Sequence, residues 1–449
     1  MLFSSLVFLW LFLPAVFFLC MALKKTSWKN ILLLAASLFF YGWGEPKYVN
    51  LMILSIGINY LFGLLAKQSR FVTVAAVAVN LGILGYFKYF NFLLELLAAV
   101  FGRELLTPRE IALPIGISFY TFQTMSYTID IYRGEVPAQR NLWAFGAYVS
   151  MFPQLIAGPV VKYRDVEAEL AARTMDVRGG YEGIGRFCTG LGKKVLLANQ
   201  IGLLWEAVQK IPPEQMSMLT AWLGSGAFAL QLYFDFSGYS DMAIGLARML
   251  GFHLKENFDY PYTSGSITEF WRRWHISLGQ WFREYVYIPL GGNRKGFLVQ
   301  MRNLLIVWAL TGIWHGRGWN FLIWGLYFGV LLILEKCVLL RWLARVPRLC
   351  GHIYTMAAVT AGMTIFAVED PGGGLRQAWM LFAGAPVFCN MQSIWLLSNY
   401  GILFFLCLLG ALGAGKRLGK YPAVWAAAGI LSVAYIVDAS YNPFLYFRF

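Results

Sequence analysis

The sequence is short of charge. Only 13% of its 449 residues are Asp, Glu, Lys or Arg, about half the ~25% share of an average soluble domain. A soluble fold of this length would have too few polar groups to cover its outside, whereas lipid removes that demand. Cysteine is also scarce. The six thiols (Cys20, Cys188, Cys337, Cys350, Cys389, Cys407) lie far apart, form no C-x-x-C and mostly sit in apolar stretches. They read as small packing residues, not as a zinc site or a disulfide framework. No G-x-x-x-x-G-K-[ST], H-E-x-x-H or G-x-S-x-G occurs, so the sequence gives no sign of phosphate-loop, zincin or serine-elbow chemistry. No ligand cluster has metal spacing, and no bound metal or cofactor is expected. Neither a soluble domain nor a fixed-period repeat is evident.

Hydrophobic residues make up 59% of the chain and aromatic ones 17%. Apolar runs lie near 2–23, 31–44, 49–66, 71–102, 113–130, 143–161, 185–208, 217–250, 319–340, 353–368, 375–389, 393–414 and 422–438. A crossing helix needs about 20 mostly apolar residues, and strands of a membrane barrel would alternate instead. The fold class expected is therefore an all-α polytopic membrane protein with about twelve transmembrane helices. It is read as a single domain over 1–449 with its catalytic core at about 113–330. Leu2 to Leu23 has no charged leader and no small-residue cleavage site before Lys24, so it reads as a first span and not as a cleaved signal. Lys24, Lys25 and Lys29 follow that span, and Lys416, Arg417 and Lys420 precede the last. Basic loops face the cytoplasm, so both termini are expected outside it, in a multi-pass protein of a bacterial inner membrane. The polar stretch 162–178 is expected as a cytoplasmic helix or loop. The net charge of +14 is scattered among loops and forms no stripe, so nucleic acid is not an expected partner. The lipid bilayer is.

From Lys255 to Gly318 the character changes to a density of Trp, Arg, Gly and His. Irregular backbone at membrane depth survives only where protein buries it or it lines a cavity. Re-entrant or interfacial helices around a wet cavity are the expectation here. Four histidines occur. His352 and His253 stand at span ends and read as interfacial. His315 differs, because it follows the apolar run Leu304 to Leu310 directly and lies between Gly312 and Gly316. An ionisable side chain at that depth faces a bundle interior or a wet path, and imidazole is the group best matched to exchanging a proton near neutral pH. A buried structural hydrogen bond is the competing account. His275 stands in Trp271-Arg-Arg-Trp-His-Ile-Ser277, where it could orient a base or bind substrate. Arg272 and Arg273 beside it could instead meet lipid headgroups. Asp235 and Asp241 interrupt the run Leu219 to Leu250 and each needs a partner or a cavity. Arg248 is about 10 Å up the axis from Asp241, too far for a pair within one helix.

Five stretches together resemble the membrane-bound O-acyltransferases, most nearly the bacterial alginate O-acetyltransferase type. They are Leu113-Pro-Ile-Gly-Ile-Ser-Phe119, Gln154-Leu-Ile-Ala-Gly-Pro159, Phe234-Asp-Phe-Ser-Gly-Tyr-Ser-Asp241, Trp271 to Gly292, and Thr311-Gly-Ile-Trp-His-Gly316. The resemblance implies a helical bundle around a central tunnel, with the family's essential histidine at His315 and its second polar site at His275. Trp274, Arg273, Trp314, Asp235, Tyr239, Asp241 and Asn320 are the residues expected along the substrate path. The implied reaction takes an acyl group, expected to be acetyl, from a cytoplasmic thioester such as acetyl-CoA to an acceptor on the outer side. Phe444-x-Tyr446-x-x-Phe449 resembles a C-terminal tyrosine motif of cell-envelope acylation systems, which makes Tyr446 a candidate acyl carrier. The competing account is an interfacial aromatic anchor. Such systems pair the membrane protein with a periplasmic SGNH-type acetyltransferase, expected as a separate partner through which an extracellular or periplasmic polysaccharide is reached. Two other functions compete. One is a teichoic-acid D-alanyl transferase fed by a carrier protein; the other is a transporter, against which stands the lack of a second His-bearing repeat.

Overall fold

The computed structural model describes residues 1–67, 69–102, 111–156, 158–416, 419, 421–438 and 444–445. Among them every regular element is helical, as continuous apolar runs require. Six helices are long and apolar enough to cross a bilayer: Pro46–Ala66, Arg70–Phe101, Phe297–His315, Trp319–Leu343, Arg348–Ala367 and Met391–Ala411. Phe8–Ala22 and Pro422–Asp438 are shorter apolar helices. Their outward faces carry bare side chains such as Phe71, Leu298, Ile402 and Ile430, which only lipid would tolerate in such number. The chain is membrane-embedded. Two apolar runs form less than a span. The stretch near 143–161 gives only Leu142–Ser150 before Pro153 and Pro159, and the one near 375–389 gives only Pro371–Met380 before Gly384 and Pro386. Proline removes a helix donor and clashes with the preceding turn, so hydropathy alone overstates length there. The polar stretch after Lys162 folds as the short turns Tyr163–Asp165 and Glu167–Ala171.

The chain divides into two compact units, 1–187 with 240–255, and 188–239 with 256–449. In the first, Ile117–Arg133 is buried on nearly every side. Asn80 Nδ2 donates to Asn59 Oδ1 at 2.7 Å, and Thr124 Oγ1 donates to Asn80 Oδ1 at 3.1 Å. Three helices are thus joined by amide and hydroxyl groups, the usual adhesive where lipid offers no hydrophobic drive between helices. Gly116 opens the Ile117 helix at φ 76°, and a Cβ there would lie 2.3 Å from the Leu155 carbonyl oxygen. Two of the motifs noted in the sequence, 113–119 and 154–159, therefore meet backbone to backbone. Glycine is required at that contact by both its φ and the space.

The second unit is organised by a helical hairpin, α1 (Phe297–His315) and α2 (Trp319–Leu334). A Cβ on Gly312 would meet the Phe321 carbonyl oxygen at 2.3 Å, and one on Gly325 the Trp308 carbonyl oxygen at 2.3 Å. The two backbones touch without intervening side chains, the small-residue packing favoured in membranes. Gly312→Ala is expected to cost roughly 1–3 kcal/mol through overpacking, read as a lower unfolding temperature in detergent. Gly57→Ala, with nothing within 4 Å of its Cβ, should lower it not at all.

Candidate active site

Upstream of the hairpin the Trp-Arg-Arg-Trp-His block is broken into α3 (Ile267–Arg273) and α4 (Ile276–Phe282). Ser266 caps α3 by accepting from Glu269 N. The fully buried Glu335 reaches in from beyond α2 to accept from Ile267 N at 2.6 Å, Thr268 N at 2.8 Å and Thr268 Oγ1 at 2.6 Å. A carboxylate that receives three donors at a helix N-terminus is held by charge-assisted bonds and by the helix dipole. The Trp271 ring then locks α3 to the hairpin, with centroids 4.7 Å from Trp308, 4.8 Å from Phe328 and 5.6 Å from Trp324.

Between α3 and α4 the chain turns through His275 at φ 44° and ψ 55°, a left-handed conformation rarely held by a residue with a side chain. The segment 257–259 secures the break: Asp259 N donates to Arg273 O at 2.9 Å, and Ile276 N donates to Asn257 O at 2.9 Å. His275 is buried, its ring edge-on to Phe236 at 4.7 Å and beside Trp314 at 6.2 Å. Its Nδ1 lies 3.1 Å from Asn257 Oδ1. Its Nε2 is buried and has no hydrogen-bond partner among the described residues. Burial pushes the imidazole down to about 3, so the ring is neutral at any working pH.

His315 ends α1 half-buried. Trp314 (4.9 Å), Trp324 (5.0 Å) and Phe366 (5.4 Å) all meet its ring at steep angles. The Trp314 ring thus neighbours both imidazoles, and the two histidines distant in sequence belong to one aromatic box. Asn320, buried at the start of α2, donates to the Phe366 carbonyl at 3.1 Å and so fixes one wall of the box. Trp274 is buried and packs on Phe258 at 5.2 Å and Phe270 at 5.5 Å. Arg273 is engaged by Glu269 at 3.0 Å and Asp259 at 3.5 Å.

The two aspartates part company. Asp235 forms a buried pair with Lys194 and accepts from Leu445 N at 2.9 Å. Phe444, itself buried, lies with its ring 4.7 Å from Lys194 Nζ and 4.8 Å from the Tyr239 ring. Asp241 belongs to the other unit, where it pairs with Arg186 at 2.6 Å. Arg248 pairs there with Glu182 at 3.0 Å, and the cations that meet the two aspartates come from other helices. Tyr446 lies outside the described residues. His253 pairs with Glu169 on the surface, and His352 meets the Ser264 carbonyl. Among the described residues no group of His, Cys, Asp and Glu could hold a metal ion.

This arrangement sits within a stretch, residues 136–367, that matches the model of the membrane-bound O-acyltransferase family. Over 410 residues the chain is 43% identical to a probable alginate O-acetylase of Azotobacter vinelandii, covering 89% of this chain and 80% of the relative. The chain belongs to the membrane-bound O-acyltransferase family. It is an O-acyltransferase. A peptidoglycan O-acetyltransferase of Helicobacter pylori is 34% identical over 84% of this chain and 79% of its own length. A teichoic acid D-alanyltransferase of Bacillus subtilis is 29% identical over 50% of this chain and 59% of its own. Within the family member described here, Asn257, Lys194, Glu335 and Phe366 are residues that the sequence did not single out. Lys194 was findable, since two buried carboxylates demand cations and Lys193-Lys194 interrupts an apolar run. Asn257 was not, for it meets His275 only through the turn.

Proposed function

We propose that the protein is a bacterial inner-membrane O-acetyltransferase, both termini extracytoplasmic, that takes acetyl from cytoplasmic acetyl-CoA to a hydroxyl on the outer side. The product is destined for an extracellular or periplasmic polysaccharide, such as the alginate or peptidoglycan named for the relatives. The observation that carries this reading is the pair of imidazoles that both neighbour the Trp314 ring. His315, half-buried and so reachable, is the base. The acceptor oxygen attacks the thioester carbonyl and forms the C–O bond, while its proton passes to the His315 imidazole. The C–S bond breaks, and the departing thiolate takes that proton to leave as the free thiol. A thioester is already activated, so holding two reactants in register supplies much of the rate. Trp314, Trp324 and Phe366 keep water from competing as the acceptor.

Tyr446 is the acceptor we propose for the first transfer. Support comes from its described neighbours: Phe444 and Leu445 are docked on Lys194, Tyr239 and Asp235 in the same unit as both histidines. An acetylated tyrosine would hand the group to a separate SGNH-type acetyltransferase that reads the polymer. Purified protein given radiolabelled acetyl-CoA should release free thiol and take up label. Tyr446→Phe keeps the ring and should remove the label, together with polymer acetylation in cells. Unchanged polymer acetylation in that variant would end the tyrosine relay. If wild type turns over no acetyl-CoA but accepts a carrier-protein thioester, the donor belongs to the D-alanyl class instead.

A further inference from the structure

One buried contact decides which nitrogen of His275 carries the proton. The Asn257 side-chain atom 3.1 Å from Nδ1 also receives Ser277 N at 3.2 Å and Ser277 Oγ at 2.8 Å. A backbone N–H can only donate, so the atom that faces it is the amide oxygen. That settles the orientation of the amide, an assignment otherwise left to the surrounding network. An amide oxygen only accepts, hence His275 Nδ1 must be the protonated nitrogen. In a neutral ring the other nitrogen then carries the lone pair.

We propose that Asn257 is a positioning residue that holds His275 in the Nδ1–H form, so that Nε2 stands as a fixed hydrogen-bond acceptor for the hydroxyl of the acyl acceptor. The proposal rests on the acyl-transfer reading above and adds a division of labour to it. His275 aligns the O–H, and His315 removes its proton. Three features support this. Nε2 is buried and faces no donor among the described residues. An acceptor left unsatisfied in a packed interior is destabilising, a burden relieved when a hydroxyl arrives. The ring has no freedom to seek another partner, since Phe236 and Trp314 flank it and the left-handed backbone at His275 is tied on both sides to 257–259. Finally, burial keeps the imidazole neutral, which suits an acceptor and disqualifies it as a strong base.

The test is the tautomer itself, read by nitrogen-15 and carbon-13 solid-state NMR on histidine-labelled protein in bilayers. The His275 signals are those lost in His275→Gln. Wild type should show protonated Nδ1 and bare Nε2. Asn257→Asp, whose carboxylate accepts equally well, should keep that form. Asn257→Leu, which offers no acceptor, should lose it. Acetyl transfer should follow the same order, with Asn257→Leu at least 10-fold below Asn257→Asp and the loss appearing in kcat or in KM for the acceptor. Wild type with protonated Nε2 would overturn the proposal, even if neither Asn257 variant folds. So would an unchanged tautomer in Asn257→Leu. Failure of acetyl-CoA turnover beside the expected tautomer would strike the donor reading alone.

Discussion

His315→Gln is expected to lower thioester turnover by a factor of about 10² to 10⁴, the usual contribution of a positioned proton acceptor, with unfolding within a few degrees of wild type. The substitution keeps a polar planar group at the end of α1 but removes the basic nitrogen. His315 is half-buried and its ring meets the aromatic edges of Trp314, Trp324 and Phe366, each such pair worth about 0.5–1.5 kcal/mol. Its loss therefore weighs far more on chemistry than on stability. Initial rates of thiol release, measured beside thermal unfolding in the same detergent, separate the two. Turnover within threefold of wild type would remove His315 from the reaction and leave it as a packing residue.

Asp235→Leu is expected to destabilise the protein by about 3–5 kcal/mol, the range found when one partner of a buried ion pair is removed. The side chains of Asp235 and Lys194 are only 4% and 3% exposed, so water cannot take the place of the lost carboxylate. Lys194→Met combined with Asp235→Leu removes both charges and should recover most of the loss, because buried pairs rarely outperform well-packed apolar replacements. The double variant still lacks the acceptor for Leu445 N. If the tail delivers an acyl acceptor, that stable protein should turn over donor normally toward an added small acceptor yet take up less label itself. Equal stability of the single and double variants would show that the pair is not coupled. Unfolding temperature and covalent label, measured on both, give the answer.

Much of the architecture could be read from composition and periodicity, because lipid imposes one demand on every span. Continuous apolar runs became helices, and the Trp-rich block became short, broken ones. Six of the about twelve expected crossings meet the length and apolarity of a span among the described residues, and Pro153, Pro159 and Pro386 follow helices that hydropathy would extend. His315 stood out because an imidazole after an apolar run needs a reason. Its aromatic box did not, since Phe366 comes from a helix 51 positions on and bears no chemical mark. The acids at 235 and 241 looked alike in one helix, but tertiary contacts send them to different units and different cations. Asn257 and Glu335 were invisible for the same cause: each meets its partners across 18 to 68 residues of chain, and no spacing in a sequence records which groups the fold brings together.

The capping of α3 by Glu335 also has a consequence for biogenesis. Glu335 follows Thr268 by 67 residues, and α1 and α2 are made between them. While the chain is being synthesised, the first turn of the Trp-Arg-Arg-Trp-His helix waits for its carboxylate, and that carboxylate waits for three donors that can make it tolerable in an apolar surround. Closing so long a loop adds little entropy beyond that of a shorter one, so the delay is one of order and not of cost. A chain stalled before residue 335 therefore lacks the carboxylate that holds the first turn of α3.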